Sequence, residues 1–361
     1  MKEFKSIFIL FLLIISGSAS GQEISQKRTF SRAFIISDKS SFELTNKYGE
    51  VKISNTDSDS LLIRAEVAAF APNEERLRKM YEGVEVNFSE TGSVVGARTV
   101  FSQSITSLIE SFKGMTNKVI PYESKIEINY YITAPVWLDM KIENRFGDVV
   151  IEDNTGIVSL TVSNGSLKVN SLNTAREMNL NFCETSIKKI NDGSIDATFS
   201  GIAIGESQNL YVNSVSCKMD LKKAGRFETK SRSDKIFIDY AGSVSGDSFF
   251  TEYKIGNLSG DINLAPKFGS LSIDLIRKEA ELISINSGSA DINLQFEQGM
   301  SYSVEIKHTN SNLVLPRKNA DIKKEAIDDD RKEYLTTGFV GRNRGNTQVK
   351  IEATRGNIYL K

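Results

Sequence analysis

The sequence predicts an all-β protein: a single-chain parallel β-solenoid, or β-helix, of roughly 20-residue coils behind a small mixed α/β capping region. Three observations predict it. Apolar and polar residues alternate along many short segments, a glycine stands just before many of them, and the combination recurs along the chain. A β-sandwich, or tandem sandwiches, is the competing architecture, because strands spaced by about 8–12 residues suit it as well.

Residues 1–20 read as a secretory signal peptide. Lys2 and Lys5 precede an apolar run over 7–15, and small residues follow, with Ser18 and Ser20 at the −3 and −1 positions of a cleavage site. The run is shorter than the roughly 20 residues that cross a bilayer, and no second long apolar run follows. The expectation is therefore an exported protein that is not an integral membrane protein. It would reside in the periplasm, on the outer-membrane surface or outside the cell.

Residues 21–140 hold strands and a helix-containing cap or insertion. The segment 73–82 (NEERLRKMYE) spaces Leu77, Met80 and Tyr81 on one side of a short amphipathic helix. A second helix, or a loop, is expected over 104–113. An early copy of the repeat, NKYGEVKI, begins at Asn46.

From 141 to 361 the chain reads as solenoid repeats. NRFGDVVI from Asn144, NGSLKV from Asn164, FGSLSIDL from Phe268 and SGDINL from Ser259 are among the copies. Alternation with period two sends Val149 and Ile151, or Ile262 and Leu264, to one face. The glycine before each strand is expected to supply a left-handed or otherwise tight turn. Aromatics just before it, such as Tyr48, Phe146 and Phe268, are expected to pack over the bare glycine, with stacking on sugars as the alternative. A polar excursion over 316–345 interrupts the pattern ahead of a final coil.

Chemistry is sparse. Net charge is −1, with acids and bases interspersed, so no basic stripe for nucleic acid exists. The chain has one histidine, His308, expected to face solvent at a strand end. Asp148, Asp196, Asp239, Asp261 and Asp291 are the carboxylates a β-helical polysaccharide-acting enzyme could use, but they sit where turns and solvated faces want Asp. Asp57 and Asp59, and the run Asp328, Asp329 and Asp330, could offer oxygen to calcium, yet lack EF-hand spacing. They read as solvated loops. No catalytic, cofactor-binding or metal residue is assigned, and a non-enzymatic protein is expected. Cys183 and Cys217 would lie about two coils apart, roughly 9.6 Å. That exceeds the roughly 4.4–6.8 Å Cα separation of a disulfide, so two separate thiols are expected.

The phrases NKYGEVKI and NRFGDVVIED, with APVWLDMKIENRFGDV as the entry into the repeats, resemble the adhesin-type β-solenoid domains of unknown function common in exported Bacteroidota proteins. The resemblance runs from about residue 40 onward. It implies an envelope-associated β-helical protein with an adhesive or structural role and no catalytic residues. The functional expectation is an adhesin-like protein that binds an envelope or surface glycan, or a protein, through its polar face. A periplasmic scaffold or stress-response partner is the alternative.

Overall fold

A computed structural model describes residues 24–103, 105, 124–342 and 345–361. The expected signal segment 1–20 lies outside the described residues, as does the expected second helix at 104 and 106–113. The first half comprises β1 (Ile24–Ile35), β2 (Ser41–Lys47), β3 (Val51–Thr56), β4 (Ser60–Ala71), helix α1 (Glu74–Glu82), β5 (Val84–Thr91), β6 (Val94–Phe101), β7 (Lys125–Pro135) and β8 (Asp139–Arg145). Long extended stretches follow: β9 (Val149–Thr198), β10 (Gly201–Val215), β11 (Lys218–Arg232), β12 (Lys235–Leu258), β13 (Ile262–Ile276) and β14 (Leu282–Phe296). The remainder is β15 (Tyr302–Thr309), β16 (Asn312–Val314), β17 (Ala320–Asp328), β18 (Glu333–Val340), β19 (Thr347–Thr354) and β20 (Asn357–Leu360).

The architecture is all-β, a 20-stranded and mostly parallel sheet. β10 pairs in parallel with β9 on one side and β11 on the other, so Ile204 lies between Ile187 and Leu221. β12 and β13 extend the series. Alternation does the rest. Every second side chain turns inward, and Val149, Leu160, Ile187, Met219, Ile238, Ile255 and Ile273 join one apolar core that continues from Phe34 to Leu360. Each such side chain contributes about 1.5–3 kcal/mol on burial. The step between neighbours is shorter than the expected 20 through the middle of the chain. Asn213 bonds Asp196 at a separation of 17 residues, Ser166 bonds Asp148 at 18, and Asn293 bonds Ser272 at 21.

Antiparallel strands flank the parallel series at both ends. β2 lies between β6 and β8, and β3 between β7 and β9. β5 then pairs antiparallel with β6, β4 with β7, and β1 with β4. The β1 strand carries Lys27, Arg28 and Arg32, charges of the kind that discourage edge-to-edge pairing. The helix expected over 73–82 is α1. Asn73 caps it by accepting from the Arg76 amide at 2.9 Å, and Leu77 and Met80 pack on Ala69 and Ala71.

At the other end the order departs from the sequence. β19 runs parallel between β14 and β15, and β20 between β14 and β16. The charged stretch forms a hairpin of β17 and β18, with β18 antiparallel to the outer side of β15. The strand that resumes the repeat after the excursion is thus seated inside the series rather than at its end.

Candidate binding surface

One corner of every repeat is built alike. A residue with positive φ turns the chain between two extended segments: Tyr48 (66°), Phe146 (58°), Asn164 (56°), Phe182 (53°), Phe199 (49°), Ser216 (56°), Ser233 (58°), Phe250 (55°), Phe268 (59°), Ser289 (60°), Arg355 (65°) and Asn310 (50°), and after Phe268 and Arg355 the glycine that follows, Gly269 (105°) or Gly356 (88°), has positive φ as well. Strand register aligns them in one column. Arg232 beside Ser233 pairs with Phe249 beside Phe250, and Thr251 pairs with Gly269 beside Phe268.

The expectation that glycine takes the left-handed conformation is corrected here. Among Gly49, Gly147, Gly165 and Gly269, only Gly269 has positive φ, and the residue ahead of each glycine makes the turn. Gly49, Gly147 and Gly165 are required by close approach instead. A Cβ on Gly147 would lie 2.0 Å from the Gly49 carbonyl oxygen, and one on Gly165 would lie 2.1 Å from that of Gly147. Five successive repeats carry Cys183, Ser200, Cys217, Asp234 and Thr251 at the glycine position, which is why the glycine marker vanishes from the middle of the sequence.

Three of the corner aromatics, Phe182, Phe199 and Phe250, precede Cys183, Ser200 and Thr251 rather than a glycine. Phe146, Phe182, Phe199, Phe250 and Phe268 are 39–58% exposed, and they stack on one another. The ring pairs are Tyr48–Phe146 at 5.5 Å, Phe182–Phe199 at 5.2 Å and Phe250–Phe268 at 4.8 Å, all within 20° of parallel. Asn164 separates the first pair from the second, and Ser216 with Ser233 separates the second from the third. A left-handed conformation costs an L-residue about 1–2 kcal/mol, and bulky side chains have no local hydrogen bond to offset it.

Behind this corner several buried polar side chains are paired with one another and with backbone. The buried Asn46 amide donates to Asn144 Oδ1 at 3.1 Å and to the Ile128 carbonyl at 3.0 Å. Asn144 donates in turn to the Gly49 carbonyl at 3.0 Å. The first residue of the N-[KR]-[YF]-G-[DE]-V phrase is therefore a buried ladder asparagine. Further along, Asp234 is 1% exposed and accepts from the Cys217 amide (2.6 Å), Ser214 Oγ (2.7 Å) and Ser231 Oγ (2.6 Å). Sequence reasoning missed Asp234. Its only signal is that it occupies the glycine position of the repeat.

The carboxylates singled out in the sequence are bonded across repeats and spread along the chain. Asp148 accepts from the Ser166 amide and hydroxyl, and Asp196 from the Asn213 amide group. Asp239 pairs with Lys222, Asp261 accepts from the Glu281 and Leu282 amides, and Asp291 accepts from Asn357. Asp328 accepts from the Arg331 amide in the β17–β18 turn, and Asp57 and Asp59 are exposed between β3 and β4. Among the described residues, no group of three or more His, Cys, Asp or Glu side chains is placed to hold a metal ion.

His308 does not face solvent. It is 2% exposed, because β18 lies along β15 and sets Tyr334 against its ring at 5.6 Å. Burial, and then the nearby Lys324 ammonium, hold its pKa below the ordinary value. Cys183 and Cys217 are free and buried, and desolvation raises both thiol pKa values. Ser200 stands between them in the column. No helix among the described residues is long and apolar enough to cross a membrane.

No family model and no curated protein matches this chain. Among solved structures it is similar to a putative cell adhesion protein from Clostridium sporogenes, at 10% identity and TM-score 0.19, covering 92% of this chain and 100% of that one. A putative adhesin from Bacteroides fragilis aligns at 11% identity and TM-score 0.27, covering 74% and 97%. Another from Parabacteroides distasonis aligns at 9% identity and TM-score 0.32, covering 75% and 94%.

Proposed function

We propose that this chain is an exported, non-enzymatic β-solenoid of the cell envelope, adhesin-like, which binds a glycan or a protein through its outer surface. On this reading residues 21–140 open and cap the coil, and residues 141–361 wind its main body. Parallel pairing of segments 17, 18 or 21 residues apart from β8 to β14 supports the winding. The observation that carries the binding function is the exposed aromatic column, because bulky rings occupy a left-handed corner where Asn164, Ser216 and Ser233 serve equally well. The bonding of each candidate carboxylate to a neighbouring repeat supports a structural role for those acids.

Protease shaving of intact cells, blotted for this protein beside a periplasmic control, tests the placement. Loss of this protein with the control spared is the expected result. Protection until the outer membrane is broken would remove the adhesin reading and favour a periplasmic partner-binding protein.

A further inference from the structure

We infer that the left-handed corner is a carbohydrate-binding strip, with the Phe182–Phe199 and Phe250–Phe268 ring pairs as stacking platforms for an uncharged polysaccharide. The inference rests on the binding function proposed above and names its site and ligand class.

Strain and exposure coincide on the same residues. Phe182, Phe199 and Phe250 are each more than half exposed while holding φ between 49° and 55°. Burial therefore accounts for little of their presence, the backbone would prefer Asn there, and stacking on the neighbouring ring only about offsets the cost. Strained residues of this kind collect at binding sites, where the surrounding structure holds them in place.

The layout of the strip selects its occupant. The ring pairs are separated by polar residues, so the strip is not a continuous apolar band suited to a lipid surface. Ser216 and Ser233 set Phe199 and Phe250 three strand spacings apart, roughly 14 Å. An open depression of about 430 Å³ beside Phe199 is lined by Ser200, Ser216, Glu184, Lys218 and Asp220. A pyranose ring presents apolar C–H faces and a rim of hydroxyls. The exposed parts of the rings, with the Ser216 hydroxyl, the Glu184 and Asp220 carboxylates and the Lys218 ammonium beside them, complement both. The charges beside the depression carry both signs, and Lys218 pairs with Asp220 at 3.2 Å, which suits a neutral chain better than a polyanion.

The test is affinity electrophoresis of the mature protein in gels containing laminarin, xylan or galactomannan, with calorimetry on any polysaccharide that retards it. Two double variants accompany it. Phe182→Ser with Phe199→Ser uses the residue native to the same corner two repeats away, so the fold is retained, which circular dichroism verifies. Phe182→Tyr with Phe199→Tyr keeps the rings. The expected result is retardation of wild type and of the tyrosine variant, with binding at least tenfold weaker in the serine variant. Equal binding by the serine variant would overturn the strip as the site while leaving glycan binding intact. Binding of wild type to an envelope protein and to none of the three polysaccharides would overturn the inference and keep the broader function. Binding to neither would overturn both.

Discussion

The backbone N–H of Cys217 donates to Oδ1 of Asp234 at 2.6 Å, joining one repeat to the next beneath the corner. The other carboxylate oxygen accepts from Ser214 and Ser231. A carboxyl group this deeply buried is tolerable because several donors converge on it. Asp234→Ala would leave those donors unpaired, at about 1–3 kcal/mol each. The expected outcome in urea denaturation is a loss of at least ~3 kcal/mol, with Asp234→Asn losing less. A change within about 1 kcal/mol for the alanine variant would mean that the neighbouring repeats relax to satisfy the donors.

Adjacent positions in the corner should respond in opposite ways. Phe182→Asn relieves a left-handed phenylalanine but loses stacking on Phe199, two effects of about 1 kcal/mol each and of opposite sign. Its unfolding midpoint should match wild type closely. Gly147→Ala should instead cost more than ~3 kcal/mol, because the new methyl group would overlap the Gly49 carbonyl oxygen. Thermal unfolding of the two variants checks both, and a tolerated alanine at position 147 would show that the Gly49 backbone shifts to make room.

His308 should make stability fall in mild acid. Its folded pKa lies below the unfolded value of 6.5, so the unfolded chain binds the proton first as pH drops. The contribution is absent above pH 6.5 and grows as pH falls from there toward the folded pKa. Lys324 adds a like charge near the ring, while the Lys307–Glu333 pair lies alongside. His308→Gln should flatten the difference between unfolding midpoints at pH 7.5 and pH 5.5. An unchanged slope in that variant would place the acid sensitivity elsewhere.

Removing residues 345–361 should do more than shorten the protein. Because β19 and β20 sit between β14 and β15–β16, their loss exposes two facing rows of unpaired backbone groups. The truncated protein should self-associate in light scattering. A monomeric, cooperatively folding product would show that β15 can move across to pair with β14 directly.

The two thiols should stay inert in the folded protein. Cys183 and Cys217 are buried, their pKa values are raised by desolvation, and Ser200 separates them. Reaction with a thiol reagent should require denaturant and then release two equivalents. A non-reducible mass shift or rapid native labelling would contradict the buried placement.

The strand content, the helix over 73–82 and the Asn-x-aromatic-Gly phrase were legible because each is a local demand. Alternation reports which face is buried, Asn73 and the spacing of Leu77 and Met80 report α1, and the phrase encodes one complete corner. The repeats from Phe182 to Phe250 were harder to see, because the glycine gives way to Cys183, Ser200, Cys217, Asp234 and Thr251. His308 looked exposed because nothing in EIKHTNSN reveals that β18 folds back over it.

By itself, then, the sequence determined the all-β character, the inward apolar face and the position of each clear corner, since these depend on neighbours a few residues away. Only the tertiary structure decided that the residue before glycine carries the left-handed turn, that the aromatics align into one exposed column, and that β19–β20 enter between β14 and β15. Those outcomes depend on register between segments at least 17 residues apart, as in the Asp196–Asn213 bond, and as many as 98 apart, as in the Asn46–Asn144 bond. Such register is set by which backbone groups and side chains meet across the stack, and local sequence preference does not specify it.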